Sequence, residues 1–291
     1  MSRRLRRAGL RKAPTAIAGW MLAARGFADA AAGWVLAAAL VLAAASSAEA
    51  QPPAPAPPPP RPARERAPVD LTGQWVAVIT EDWRWRMVTP PAGDSSSIPL
   101  NAKGTAATAA WDLDKDRREN ALCKAYGPPG LIRQPTRLRI DWSDADTLRL
   151  QFDAGNQTRL LHFTPQAAGE RSLQGVSTAQ WFRQTQSRGV FAANTPSTGG
   201  SLQVRTTGLT AGYLRPNGVP YGENATVKEY FNTFTAPETG TWLVVTTVVN
   251  DPEYLTTDLI MSTQFKKEAS RSGWSPRACD IAPPLVEGAR Q

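Results

Sequence analysis

The chain has 291 residues, 33 Lys and Arg against 25 Asp and Glu, a formal net charge of +8 and 42% hydrophobic residues. That hydrophobic content excludes disorder for the bulk of the chain. The charge is concentrated at the start: residues 1–50 hold seven basic and two acidic side chains, Arg61, Arg64 and Arg66 face only Glu65, and residues 69–291 carry about +1. A nucleic-acid footprint is therefore excluded for the folded part.

A basic start, the apolar run Ala30 to Ala45 and the close Ala48-Glu49-Ala50 describe a Sec-type signal peptide over residues 1–50, cut before Gln51. The competing reading is a membrane anchor, but the run is shorter than the roughly 20 residues a span requires. Ser2-Arg3-Arg4 suits a twin-arginine signal poorly, because Arg6 and Arg7 stand where apolar residues belong, and Met21 offers an alternative start. The expected location is a bacterial periplasm or the exterior, with no stable membrane span after cleavage. Residues 51–68, rich in Pro and Ala, read as an extended polyproline tether without a core; a docking ligand for a proline-reading domain is the alternative.

One domain is expected over residues 69–291. Its first strand candidate is Leu71 to Val88, bent, and one helix is expected from Ala102 to about Ala121, with Asp114/Arg118 and Lys115/Glu119 as i,i+4 pairs. Cys123 and Cys279, the only two cysteines, form one disulfide in an oxidising compartment. From Arg137 the apolar residues alternate with period two: Leu138, Ile140 and Trp142, then Leu148, Leu150 and Phe152, then Thr158 to Phe163, separated by turns at 143–146 and 154–156. Further strands are expected at 173–182, 202–207, 226–235, 241–249 and 257–265, with loops at 189–200 and 211–223. Nine strands and one short helix imply an all-β fold, a single antiparallel barrel or sandwich, in which closure removes exposed edges.

Asp70-Leu71-Thr72-Gly73-Gln74-Trp75 opens the domain and resembles the Gly-x-Trp first strand of the lipocalin-like (calycin) barrels. That resemblance implies a meander barrel whose Trp75 plugs the closed end beneath a basic side chain from a late strand, here Lys266, Lys267 or Arg271. The chain departs from the pattern by about 50 residues inserted before Thr136. The same opening, with Glu81 to Met87, Cys123 to Gly127, Gly212 to Tyr221 and Glu229-Tyr230-Phe231, also resembles a family of secreted bacterial proteins that brings no activity with it.

Few chemical motifs survive inspection. Asp112-x-Asp114-x-Asp116 imitates a calcium loop, but Arg117 replaces the needed Gly and Cys123 the bidentate Glu. Gly175 to Ala179 lacks the last Gly of a nucleophile elbow. Two cysteines and a single histidine do not make a zinc site, so neither metal nor cofactor is expected. His162 is the only histidine and lies opposite in parity to Leu161 and Phe163.

On a regular strand Trp83 and Trp85 face the interior while Asp82, Arg84 and Arg86 face out; a bulge near Asp82 reverses this and turns both arginines inward as a carboxylate or phenolate clamp. Tyr213, Arg215 and Tyr221 fall in a Gly/Pro-rich loop of the kind that closes a barrel mouth, suited to a planar anionic or phenolic ligand. Of Glu229 and Tyr230 only one can point inward: Glu229 as a desolvated base, or Tyr230 as an orienting hydroxyl. Three functions remain open. The first is a barrel binding a small apolar or aromatic molecule inside it. The second is a cofactor-independent lyase, isomerase or hydrolase acting on a small phenolic or aromatic substrate through Glu229 or His162. The third is a structural envelope component.

Overall fold

The structure, a computed structural model, describes residues 59–167, 169–183 and 199–285. The expected signal peptide, residues 51–58 of the tether and most of the 189–200 loop lie outside the described residues. The barrel strands are β1 (Gly73–Val78), β2 (Arg137–Trp142), β3 (Thr147–Phe152), β4 (Gln157–His162), β5 (Val176–Arg183), β6 (Gly200–Thr207), β9 (Thr226–Ala236), β10 (Gly240–Asn250) and β11 (Leu259–Glu268). They close in the order β1-β11-β10-β9-β6-β5-β4-β3-β2, and β7 (Gly212–Arg215) pairs with β8 (Val219–Tyr221) as a separate hairpin.

A closed ring with an odd number of strands cannot alternate direction throughout; one neighbouring pair must run parallel. That pair is β4–β5, joined through only Leu161↔Ser177 and His162↔Thr178, where a pure antiparallel meander was expected. Alternation then sorts the side chains as the period-two pattern requires. Leu138, Ile140, Leu148, Leu150, Phe152, Leu202, Phe231, Leu243, Val245 and Phe265 are all nearly fully buried. The interior is filled by such side chains.

Trp75 is fully buried, and its indole donates to the Leu71 carbonyl at 3.0 Å. Of the three basic candidates it is Lys267, its direct ladder partner, whose Nζ lies 5.2 Å from the Trp75 ring. Gly73 sits at φ +125°, open to glycine, and a Cβ there would meet the Lys267 chain at 2.9 Å.

Four segments differ from the sequence expectation. The strand expected over 71–88 ends at Val78; after it comes α1 (Trp83–Arg86), a single helical turn entered through Asp82 at φ +54°. The expected single helix is split into α2 (Ala102–Ala109) and α3 (Leu113–Arg118), because the Asp112 side chain caps α3 by accepting from the Asp114 and Lys115 amides. The 211–223 loop is the β7–β8 hairpin. Residues 59–68 dock onto the barrel instead of forming a free spacer. Ala63 is fully buried, its N–H donates to Asp146 Oδ1 at 2.6 Å and its carbonyl accepts from the Trp181 indole at 2.9 Å.

Cys123, in a 3₁₀ turn (Leu122–Tyr126) that precedes α4 (Pro128–Leu131), is disulfide-bonded to Cys279. The large insertions, 79–136 and 208–225, leave and re-enter at one end of the barrel, at the end of β1 and start of β2 and between β6 and β9. That end is the mouth.

Candidate ligand site at the barrel mouth

β1 stops at Val78, opposite Gln264, so the first residues of β11 extend past it at the mouth. Two parts of the insertion fill the gap. Arg133, from the end of the insertion, donates through Nη1 to the Ser262 carbonyl at 2.6 Å and through Nη2 to Asp82 Oδ2 at 2.6 Å. Arg86 donates from Nε to the Arg133 carbonyl at 3.0 Å and pairs through Nη1 with Glu81 at 2.5 Å. The left-handed Asp82 turns the chain, and Glu81 meets both arginines while Asp82 meets Arg133.

The third arginine arrives from the hairpin. Tyr213 pairs with Pro220 and Arg215 with Val219, leaving Leu214 as an extra, bulged residue. The bulge breaks the parity that would otherwise put Tyr213 and Arg215 on one face. Tyr213 turns away and donates its hydroxyl to Asp116 at 3.0 Å, whereas Leu214 and Arg215 line the mouth cavity. Arg215 lies 4.7 Å from the Trp85 ring centroid, and the Trp85 indole is held by Asp94 Oδ2 at 3.0 Å. Burial works against the Asp94 charge, but hydrogen bonds from Ser96 and Trp85 and the Arg215 charge hold its carboxyl below the ordinary value.

The result is a cavity of about 220 Å³ lined by Glu81, Asp82, Trp85, Arg86, Arg133 and Arg215, with Leu214, Leu259 and Met261 as an apolar wall. It is smaller than the roughly 300–1,000 Å³ of drug-sized pockets, so its occupant is small. Arg86 and Arg215 are only 6% and 9% exposed, and Arg86 Nη2 and Arg215 Nη1 are buried without a hydrogen-bond partner. Burial pushes both guanidinium groups down to about 10, Arg133 adding its repulsion at each. Both remain cations at neutral pH, short of the partners a buried cation needs.

Trp85, Arg86 and Arg215, three of the residues expected to bind ligand, thus meet at one place. The others do not join them. Trp83 is 65% exposed, not an interior wall residue, and Arg84 is exposed too, so the expected inward turn applies to Arg86 alone. Tyr221, the last residue of β8, is buried with its hydroxyl unpartnered. Tyr230 lies on the outer wall of β9, because Glu229 takes the inward place. His162 ends β4 at the opposite end of the barrel, its Nδ1 3.4 Å from Thr147 Oγ1.

Glu229 is fully buried, as an inward base would be, but it is not free: its oxygens accept from Arg159 Nη1 at 2.9 Å and Nη2 at 2.5 Å. Arg159 also donates to Thr206 Oγ1 at 3.3 Å, which shares a 2.7 Å hydrogen bond with Ser177.

Burial, aided by Asp116, raises the Tyr213 hydroxyl, and burial raises that of Tyr221. A raised folded value stabilises below the unfolded value, about 10, and the contribution is lost as pH rises through the folded one. In an ultraviolet alkaline titration these two tyrosines should stay protonated past about pH 10 and ionise only as the fold opens. Ionisation of all five tyrosines near the ordinary value in folded protein would refute their burial.

Among the described residues no group of three or more His, Cys, Asp or Glu is placed to hold a metal ion, and no helix is long and apolar enough to cross a membrane. Comparison with family models, curated proteins and solved structures finds no match.

Proposed function

We propose that the protein is an exported, lipocalin-like binding barrel that takes a small organic carboxylate with an apolar or aromatic body at its mouth. The observation that carries this reading is the pair of buried guanidinium nitrogens, Arg86 Nη2 and Arg215 Nη1, left unpartnered beside an apolar wall. A carboxylate would satisfy both with charge-assisted hydrogen bonds. The site lies at the mouth, since side chains fill the barrel interior. The disulfide supports an oxidising compartment. Binding is preferred to the enzyme reading because both oxygens of Glu229 are engaged by Arg159 and His162 lies at the far end.

The test is calorimetric titration with benzoate and 3-phenylpropionate. Arg215→Gln should weaken binding about tenfold or more, the equivalent of one charge-assisted hydrogen bond. Arg215→Lys, which keeps the charge and loses the fork, should fall between. Binding of neutral hydrocarbons with equal affinity by wild type and Arg215→Gln would overturn the reading.

A further inference from the structure

We infer that the occupant of the mouth cavity is a zwitterion of amino-acid type, its carboxylate on Arg86 and Arg215 and its ammonium on Asp82; the inference rests on the binding reading above. The cavity lining is graded in charge. Counted over the side chain alone, its cations lie deep, Arg86 at 2% and Arg133 at 9% exposure, while its carboxylates sit at the rim, Glu81 at 33% and Asp82 at 40%. A molecule entering this field is oriented with its anionic end inward and its cationic end outward.

The two acids are not equivalent. Glu81 is fully engaged, Oε1 accepting from both Arg86 and Arg133 and Oε2 from Thr80. Asp82 gives only Oδ2 to Arg133, and its Oδ1 has no partner among the described residues. Asp82 lines the same cavity as Arg86 and Arg215, and its charge acts on both. Its backbone, φ +54° and ψ 25°, is a left-handed conformation uncommon outside glycine and costs energy; such strain collects where a side chain must be held for a ligand. Leu214, Leu259 and Met261 leave an apolar wall for the ligand's side chain.

Three probes of one skeleton separate the possibilities: L-phenylalanine, 3-phenylpropionate and 2-phenylethylamine, titrated calorimetrically into the full exported protein. Asp82→Asn is the informative variant, because Asn tolerates the left-handed backbone and keeps an oxygen for Arg133 while removing the charge; an unchanged melting temperature verifies its fold. L-phenylalanine should bind about tenfold tighter than 3-phenylpropionate, the amine weakest, and Asp82→Asn should bring the acid and the amino acid within about threefold of each other. If 3-phenylpropionate binds wild type as tightly as L-phenylalanine, the zwitterion is refuted and carboxylate binding stands. If the amino acid keeps its advantage in Asp82→Asn, the assignment of its ammonium to Asp82 fails. If none of the three binds at millimolar concentration, both readings fall together.

Discussion

Glu229→Gln should lower the stability of the barrel by roughly 3–5 kcal/mol, and Arg159→Met by a similar amount. Each strands its partner in the interior: Arg159 and Glu229 are 1% and 0% exposed, and the two-pronged contact supplies most of the donors and acceptors either can find. The surroundings are already short of partners, since Arg159 Nε and the Thr247 hydroxyl, which lies directly across the ladder from Glu229, are buried and unbonded. For a domain of this size the loss corresponds to a fall in melting temperature of roughly 10 °C.

The double change Arg159→Met with Glu229→Leu should recover most of it, to within about 1–2 kcal/mol of wild type, because two well-packed apolar side chains avoid the desolvation cost that the ion pair has to offset. Thermal or urea unfolding of wild type, Arg159→Met, Glu229→Leu and the double variant closes the cycle. Additive single losses would mean that the two groups do not act as a pair, and Glu229 would then be free of Arg159 in the way a general base requires.

The same residues show how much was legible in the chain. β2, β3, β4, β9, β10 and β11 were readable because each buries one face against a filled interior, and burial of one face forces period two. The count of nine strands was readable as well, and with it the necessity of one parallel pair in a closed ring; which pair it is depends on where the chain crosses back, through residues 163–175, and no single strand carries that information. Arg159 has the parity of Leu161, so its inward direction was present in the pattern, but an arginine reads as a wet face until its partner 70 residues away is known.

The insertion at the mouth is harder to read for a related reason. Trp83-Arg84-Trp85-Arg86 alternates like a strand, yet four residues fit one helical turn equally well, and the choice is made by Arg133, which reaches Glu81 and Asp82 across about 50 residues. The split at Trp111-Asp112 had a local signal, an Asp followed by free amides, that the longer run of charged pairs masked. Tyr213 and Arg215 have the spacing of a shared face, and only the bulge at Leu214 separates them. Proline content in 59–68 correctly precludes helix and ladder, but it says nothing about docking, which Trp181 and Asp146 decide.

Loss of the Cys123–Cys279 bond should be the second large effect. Past Glu268 the chain forms no further strand among the described residues, and the tail is held by a few separate contacts. The Tyr126 hydroxyl donates to the Asp280 carbonyl at 2.6 Å and accepts from its amide at 3.1 Å, Arg277 N–H donates to the Asp153 carbonyl at 2.8 Å, and Leu285 N–H to the Thr89 carbonyl at 3.0 Å. The bond adds a closure between residues 156 apart, for which chain entropy alone gives roughly 5 kcal/mol and native disulfides typically return about 2–5.

The paired Cys123→Ser and Cys279→Ser protein should therefore melt roughly 4–20 °C lower than the oxidised wild type. The loss should begin in the tail. Hydrogen exchange over residues 276–285 should rise first, followed by Met87 to Thr89, which share a surface cleft with Arg277 and Ile281. Arg86 lines both this cleft and the mouth cavity, so under the proposed function the affinity for benzoate should weaken with the tail's release. Unchanged melting and exchange after both substitutions would show that the hydrogen bonds of the tail suffice without the staple, and the bond's place in holding the mouth would have to be given up.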